Sequence, residues 1–529
     1  MKRLALSVLS VAAALSLAAQ GGQARPRLVV GIVVDQLRTD YIEYLRDYFG
    51  EKGFKALLTD GVYMRDVDFK TSRLDATSAT ALLYTGAYPS ETGVPSANIY
   101  EVKQSRVTHR PPLTPADALS ISNDSFTPTA LRLSTIADEL VIDAAGAAKI
   151  YSVAIDPQQA VIMAGHAGTG AIWLNNSSGN WASSSYYNAI PSSVYSRNLS
   201  RSLASRIDTM VWTPSASFNK VEGISQKRRI SPFRHSFSQR DRDVYLRFAN
   251  SPFANREVTD VAIDLINNLN LGNTPGETDM LNVAYSLAPF KYSSSGAVNA
   301  ELIDAYLRLD GQLARLISAV DKSVGAQNVI IWLSSTGHYN DPNLDDSKYK
   351  IPTGVFSTKR ARSLLNSYLS ARFGAASYVL EFRDDQVFFD RKVLENTRIN
   401  TADVLAEARS FLIKMSGVAE AYTIDDVISS ASEACRDIRL GVDLQYCGDI
   451  FLHFSPGWRV AYDEQLPVQE RVVRHASILT PAFIRAPGVA PTRINTTVEA
   501  VRIAPTLTNT LHIRAPNGAT HKALPLDEK

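Results

Sequence analysis

The sequence predicts an α/β fold whose mostly parallel central sheet is flanked by helices. Two observations carry this. Short runs that are apolar on both faces recur along the chain, and a long stretch between two of them carries apolar residues at helical spacing. Strands buried on both faces and alternating with helices build parallel sheets, because a parallel pair needs a crossover and a helix usually supplies it. Composition agrees. A chain of 529 residues, 45% hydrophobic and 20% charged, can bury a large core, which excludes disorder and low complexity.

At the N-terminus, Lys2 and Arg3 precede an apolar run, Leu4 to Leu17, followed by small residues up to Ala24. This reads as a secretory signal peptide over residues 1–24, the other reading being a buried core helix. It implies export to the periplasm or the cell surface and leaves 25–529 as one mature domain. Without Lys2 and Arg3 the basic and acidic residues balance, so no global charge draws the chain to nucleic acid or an anionic membrane. No later run is long and apolar enough to predict a transmembrane helix.

Leu28 to Val34 (LVVGIVV) predicts the first buried strand, ended by Asp35 and followed by a helical pattern around Tyr41 to Tyr48. Lys149 to Ile155, Met280 to Leu287, Val329 to Ser334 and Ile450 to Phe454 predict further strands. Ala300 to Val320, with Leu302, Tyr306, Leu309, Leu313 and Leu316 on one side, predicts an amphipathic helix. Residues 100–130 and 172–256 are polar with little periodicity and read as cap insertions. Within the second, Lys227, Arg228, Arg229, Arg234, Arg240 and Arg242 form either a phosphate-binding cluster or a solvated cap surface. Cys435 and Cys447 are the only cysteines. In an exported chain they suggest one local disulfide, with two free thiols as the alternative.

Sites in open α/β sheets form beyond the carboxyl ends of the strands. Asp35 is therefore the first candidate metal ligand, although its position suits equally a cap for a helix starting near Leu37. Eight histidines and 53 carboxylates offer ample raw material for a metal centre.

Six blocks then run in a recognisable order: VVGIVVDQLRTDY (29–41), LLYTGAYPSETGV (82–94), AGHAGTGAIW (164–173) with GNWASSSYY (179–187), AYLRLDGQLARLI (305–317), GDIFLHFSPGW (448–458) and RIAPTLTNTLHIRAPNGAT (502–520). Together they resemble the alkaline phosphatase superfamily, in the branch of exported phosphate-monoesterases related to type I phosphodiesterases and nucleotide pyrophosphatases. The resemblance implies two zinc ions held by three Asp and three His, with a Thr or Ser nucleophile between them. Carried across, Asp35 matches the first ligand. The nucleophile position falls on Ala76, one ligand pair on Pro289 and Tyr292, the next on Thr336 and Gly337, and the last histidine on Leu479. A phosphate-binding Lys and Arg fall on Asp156 and Gln158, and an acid there repels a phosphate dianion.

The expectation is thus a degenerate member that has lost metal-dependent phosphoester hydrolysis, needs no cofactor, and serves as a binding or assembly component, with envelope proteins as partners. The alternative is a divergent phosphate or sulfate ester hydrolase with a reduced zinc site, built on Asp35, Thr77, His338 and His475. His166 and His453 read as structural, and His109, His235, His512 and His521 as histidines in polar surroundings without a motif.

Overall fold

The computed structural model describes residues 25–116, 120–221, 232–293, 298–339, 353–396, 399–462, 469–472 and 478–526. The expected signal peptide, Lys227 to Arg229 and His475 lie outside the described residues.

The first apolar run forms β1 (Leu28–Asp35), with all eight residues buried. Its side chains alternate between two cores. Leu28, Val30, Ile32 and Val34 enter one, and Val29 and Val33 enter the other. A strand that feeds two layers cannot lie at a surface, and β1 sits in the middle of the sheet. Gly31 is required there: a Cβ would meet Asn282 Oδ1 at 2.4 Å and the Tyr84 hydroxyl at 2.7 Å, two groups joined by a buried hydrogen bond.

The helical pattern after Asp35 becomes α1 (Thr39–Tyr44) and a short 3₁₀ turn, and α2 (Phe54–Asp60) leads into β2 (Val62–Met64). Next come α3 (Ala76–Thr85), α4 (Ile136–Asp143), β3 (Ile150–Ala154), α5 (Pro157–Ala164), β4 (Gly170–Leu174) and β5 (Trp181–Ala182). The chain then forms α6 (Pro252–Leu269), β6 (Asp279–Ser286), α7 (Val298–Val324), β7 (Val329–Ser335), β8 (Ala482–Arg485) and β9 (Thr492–Ile494). Among the described residues these strands make a nine-stranded sheet of order β9-β2-β8-β7-β1-β6-β3-β4-β5. It is mostly parallel. β8 runs against β7 and β2, and the edge strand β5 runs against β4. Helices α6 and α7 cover one face, and α3, α4 and α5 cover the other.

Register carries the functional consequence. β1 pairs in parallel with β6 and β7, so Asp35 lies opposite Ser286 and Val34 lies opposite Ser335. Three neighbouring strands thus end together, with Asp35, Ser286 and the residues after Ser335 at one rim.

Residues 353–462 include a second sheet not foreseen in the sequence. Its strands Val379–Arg383, Gln386–Phe389, Ile450–Phe454 and Val418–Thr423 are antiparallel, covered by helices Thr358–Phe373 and Thr401–Leu412 around a separate apolar core. Ile450–Phe454 therefore belongs to this sheet and not to the central one. The expected disulfide is also corrected: Cys435 and Cys447 are both buried free thiols. Cys435 is held in the first turn of a helix by its amide bond to Ser432 Oγ. Cys447 packs among Val427, Ile438, Val442 and Phe451, and burial pushes its thiol up to about 12. No described helix is long and apolar enough to cross a membrane.

Candidate active site

Asp35 is buried at the carboxyl end of β1 and does not cap a helix; the residue before α1 is Arg38. Its carboxylate is instead shared by the neighbouring strand ends. Thr336 Oγ1 donates to Asp35 Oδ1 at 2.9 Å, and Ser286 Oγ donates to Oδ2 at 3.3 Å. His338 Nε2 stands 3.3 Å from Oδ1. Thr336 is fully buried and also accepts the Gln36 amide at 3.1 Å. The two positions counted as lost ligands therefore have work here: Thr336 fixes Asp35, and Gly337 turns the chain so that His338 comes back to it. Gly337 has φ 71°, and a Cβ would lie 2.1 Å from the Phe69 ring. His338 Nδ1 is buried and makes no hydrogen bond among the described residues.

The head of α3 carries a second acid. Asp75 caps it, accepting the amides of Thr77 at 3.0 Å and Ser78 at 2.9 Å on one oxygen and that of Ala97 at 2.6 Å on the other. Ala76 is the first residue of the helix, and Thr77 beside it is buried. The head of α5 carries a third acid. Asp156 caps it through the amides of Gln158 and Gln159, at 2.8 and 3.1 Å. Burial pushes the Asp156 carboxyl above the usual range, those amides pull it back, and the carboxylates of Asp75 and Asp35 push it up again. The charges of Asp35 and Asp75 thus both act on Asp156.

The other expected positions stand apart. Gln158 turns its amide to Ala97 O at 3.0 Å. Pro289 is buried, and Tyr292 is exposed beside Phe290 and Arg247. Leu479 contributes its carbonyl to the Thr39 amide at 3.0 Å. His166 is pinned on both nitrogens, by Asp138 at 3.1 Å and Leu131 O at 2.9 Å. His453 lies on the small sheet, facing Glu420 at 3.6 Å. His235 is not in polar surroundings: it bonds Glu301 at 2.6 Å and packs against Trp212 and Phe290.

Among the described residues no group of three or more His, Cys, Asp or Glu could hold a metal ion. Asp35 and His338 are two donors, and the Asp35 oxygen facing His338 is already taken by Thr336. A pair of zinc ions held by three Asp and three His does not fit this donor set.

A wide, mostly parallel sheet with a polar cluster at its carboxyl rim is where α/β proteins place their sites. The family pattern of the type I phosphodiesterases and nucleotide pyrophosphatases matches residues 29–478, and the chain belongs to that family. It is 26% identical to the alkaline phosphatase PafA of Elizabethkingia meningoseptica, over 99% of this chain and 98% of that protein. It is 28% identical to a protein of Myroides odoratus named calcium-transporting ATPase, over 93% of each. It is 26% identical to the alkaline phosphatase PhoV of Synechococcus elongatus, over 95% of this chain and 92% of that one. The crystal structure of PafA superposes with a TM-score of 0.78 at 25% identity, covering 94% of this chain and 98% of PafA.

These findings overturn the expectation of a retired enzyme acting as a binding or assembly component. Proteins named as phosphatases match almost the whole chain, and the family is one of phosphoric-ester hydrolases. The rim around Asp35 is built from Thr336, Ser286 and His338.

Proposed function

We propose that the chain is an exported phosphoric-ester hydrolase working at the Asp35 rim with a reduced site. The observation that carries this is the Asp35–His338 pair at the end of β1, in a chain whose near full-length relatives include named phosphatases. With Nε2–H donated to Asp35, Nδ1 is the proton acceptor, and Asp35 stabilises the imidazolium that forms. Thr77 is the nucleophile in this reading: its oxygen attacks phosphorus, its proton passes to His338, and the ester oxygen leaves with a proton returned from it. Water then releases the phosphate by the reverse sequence. Asp75 and Asp156 favour esters carrying one negative charge, phosphodiesters or sulfate monoesters, over dianionic phosphomonoesters. The mature protein is read as a single domain with cap insertions near 100–130 and 172–256, acting in the periplasm or at the surface.

The test is hydrolysis of an aryl phosphodiester, an aryl phosphomonoester and an aryl sulfate by the purified chain, with and without added zinc. Turnover that Asp35→Asn and Thr77→Ala each remove supports the reading. Turnover indifferent to both substitutions, or none on any ester in either condition, contradicts it.

A further inference from the structure

On the outer side of α1 lies a cavity of about 520 Å³ whose lining shares no residue with the Asp35 centre. Three guanidinium groups border it: Arg46 from the turn after α1, Arg65 just past β2, and Arg493 from the edge strand β9. One carboxylate answers them. Glu43 accepts Arg65 Nε at 2.8 Å and Nη2 at 2.9 Å, and also Arg493 Nη2 at 2.8 Å. Arg46 is exposed and pairs with no acid among the described residues. The lining carries three cations and one anion, with Asp66 acting on Arg65 from outside it, so positive charge prevails in the lining of a chain whose overall charge is close to neutral.

The rest of the lining is not charged. Ile42 and Leu58 supply an aliphatic wall. The Tyr63 ring lies under the Arg493 guanidinium, 5.3 Å from centroid to Cζ. Its buried hydroxyl faces the Thr39 side chain. The cavity falls within the roughly 300–1,000 Å³ typical of small-molecule sites, more room than an inorganic phosphate needs.

We infer that this cavity is a binding site for an organic anion, with a phosphate or phosphonate head on the three arginines and an apolar body on Ile42 and Leu58. Arginine suits such a head because its planar fork matches tetrahedral oxyanions and stays charged. The Glu43 bridge holds Arg65 and Arg493 in place before the ligand arrives, which lowers the ordering cost of binding.

The test is calorimetric titration of the full chain with phenylphosphonate, which has the head and the body but no ester to hydrolyse. Wild type, Arg46→Ala and Arg493→Gln are compared, with circular dichroism to check folding. Arg46 is exposed with no partner to orphan, so its variant reports on charge alone. The expected result is loss of one binding event, or at least roughly tenfold weaker binding, in either variant, with ester hydrolysis at the Asp35 rim unchanged. Unchanged affinity and stoichiometry in both variants, or no binding to the wild type, overturns the inference. Neither outcome depends on whether the Asp35 centre is catalytic.

Discussion

Among the described residues are two aspartate–histidine pairs that look alike on paper and differ in how much of each is spent. In the first, between α4 and the loop after α5, Asp138 accepts the Thr135 and Ala167 amides, at 2.8 Å each, as well as His166. His166 has no ring nitrogen left, since Leu131 O takes the other. In the second, at the end of β1, Asp35 is held by Thr336 and Ser286, but His338 keeps Nδ1 without a partner among the described residues. A fully spent pair is a pin between elements. A pair with an open nitrogen at a strand-end rim can move a proton. That contrast, more than the residue types, separates a structural histidine from a catalytic candidate.

The largest expected effect comes from removing the charge of the open pair. Asp35→Asn keeps the shape of the side chain and is expected to lower kcat/KM for ester hydrolysis by about 10²–10⁴-fold with little change in Tm. Gly337→Ala comes next. The added methyl meets Phe69 and strains a positive φ, so His338 must shift. A loss of stability of about 1–3 kcal/mol and a fall in rate of roughly tenfold or more are expected, read by thermal melting and initial rates.

The spent pair should respond the other way. His166→Ala is expected to cost about 1–2 kcal/mol of stability and leave kcat unchanged. Its pH dependence has a definite sign. The hydrogen bond to Asp138 holds the His166 pKa above its ordinary value, against burial. The contribution is therefore complete below the ordinary imidazole value and is lost as pH rises through the folded one. Asp138 opposes this at low pH. Burial pushes its carboxyl up, but the bonds from His166, Thr135 and Ala167 outweigh that and hold it low, so its part is lost only as pH falls. The stability gap between wild type and variant should be widest just below the ordinary imidazole value and narrow as pH rises above it. Equal gaps below and above that value would remove the distinction between the two pairs.

The smallest effect concerns the head of α5. Asp156→Asn keeps a helix cap but removes a carboxylate that feels the charges of Asp35 and Asp75. It is expected to raise kcat/KM for a dianionic monoester by roughly two- to tenfold, and less for a diester. Equal changes for both would place Asp156 outside the substrate's field.

The fold was largely legible because strands buried on both faces must be written in Val, Ile and Leu. LVVGIVV, MLNVAYSL and VIIWLS each became a central strand. IFLHF carried the same signal but belongs to the small antiparallel sheet, and a short apolar run does not reveal which sheet it joins. Asp35 could be nominated from its strand end alone. Ser286 could not, since only the parallel register of β1 and β6 sets it opposite Asp35. His338 stood one residue past its expected place, and what returns it to Asp35 is the left-handed backbone at Gly337. The tetrapeptide Ser335-Thr336-Gly337-His338 held that signal: a glycine at a strand end permits a reversal that an ungapped count ignores.

The most direct measurement is the initial rate of aryl phosphodiester hydrolysis by the purified wild type and its Asp35→Asn variant, assayed side by side near neutral pH. The Asp35 rim as catalytic centre predicts turnover by the wild type and a loss of about 10²-fold or more in a variant that melts at the same temperature. Equal rates in the two proteins would contradict it.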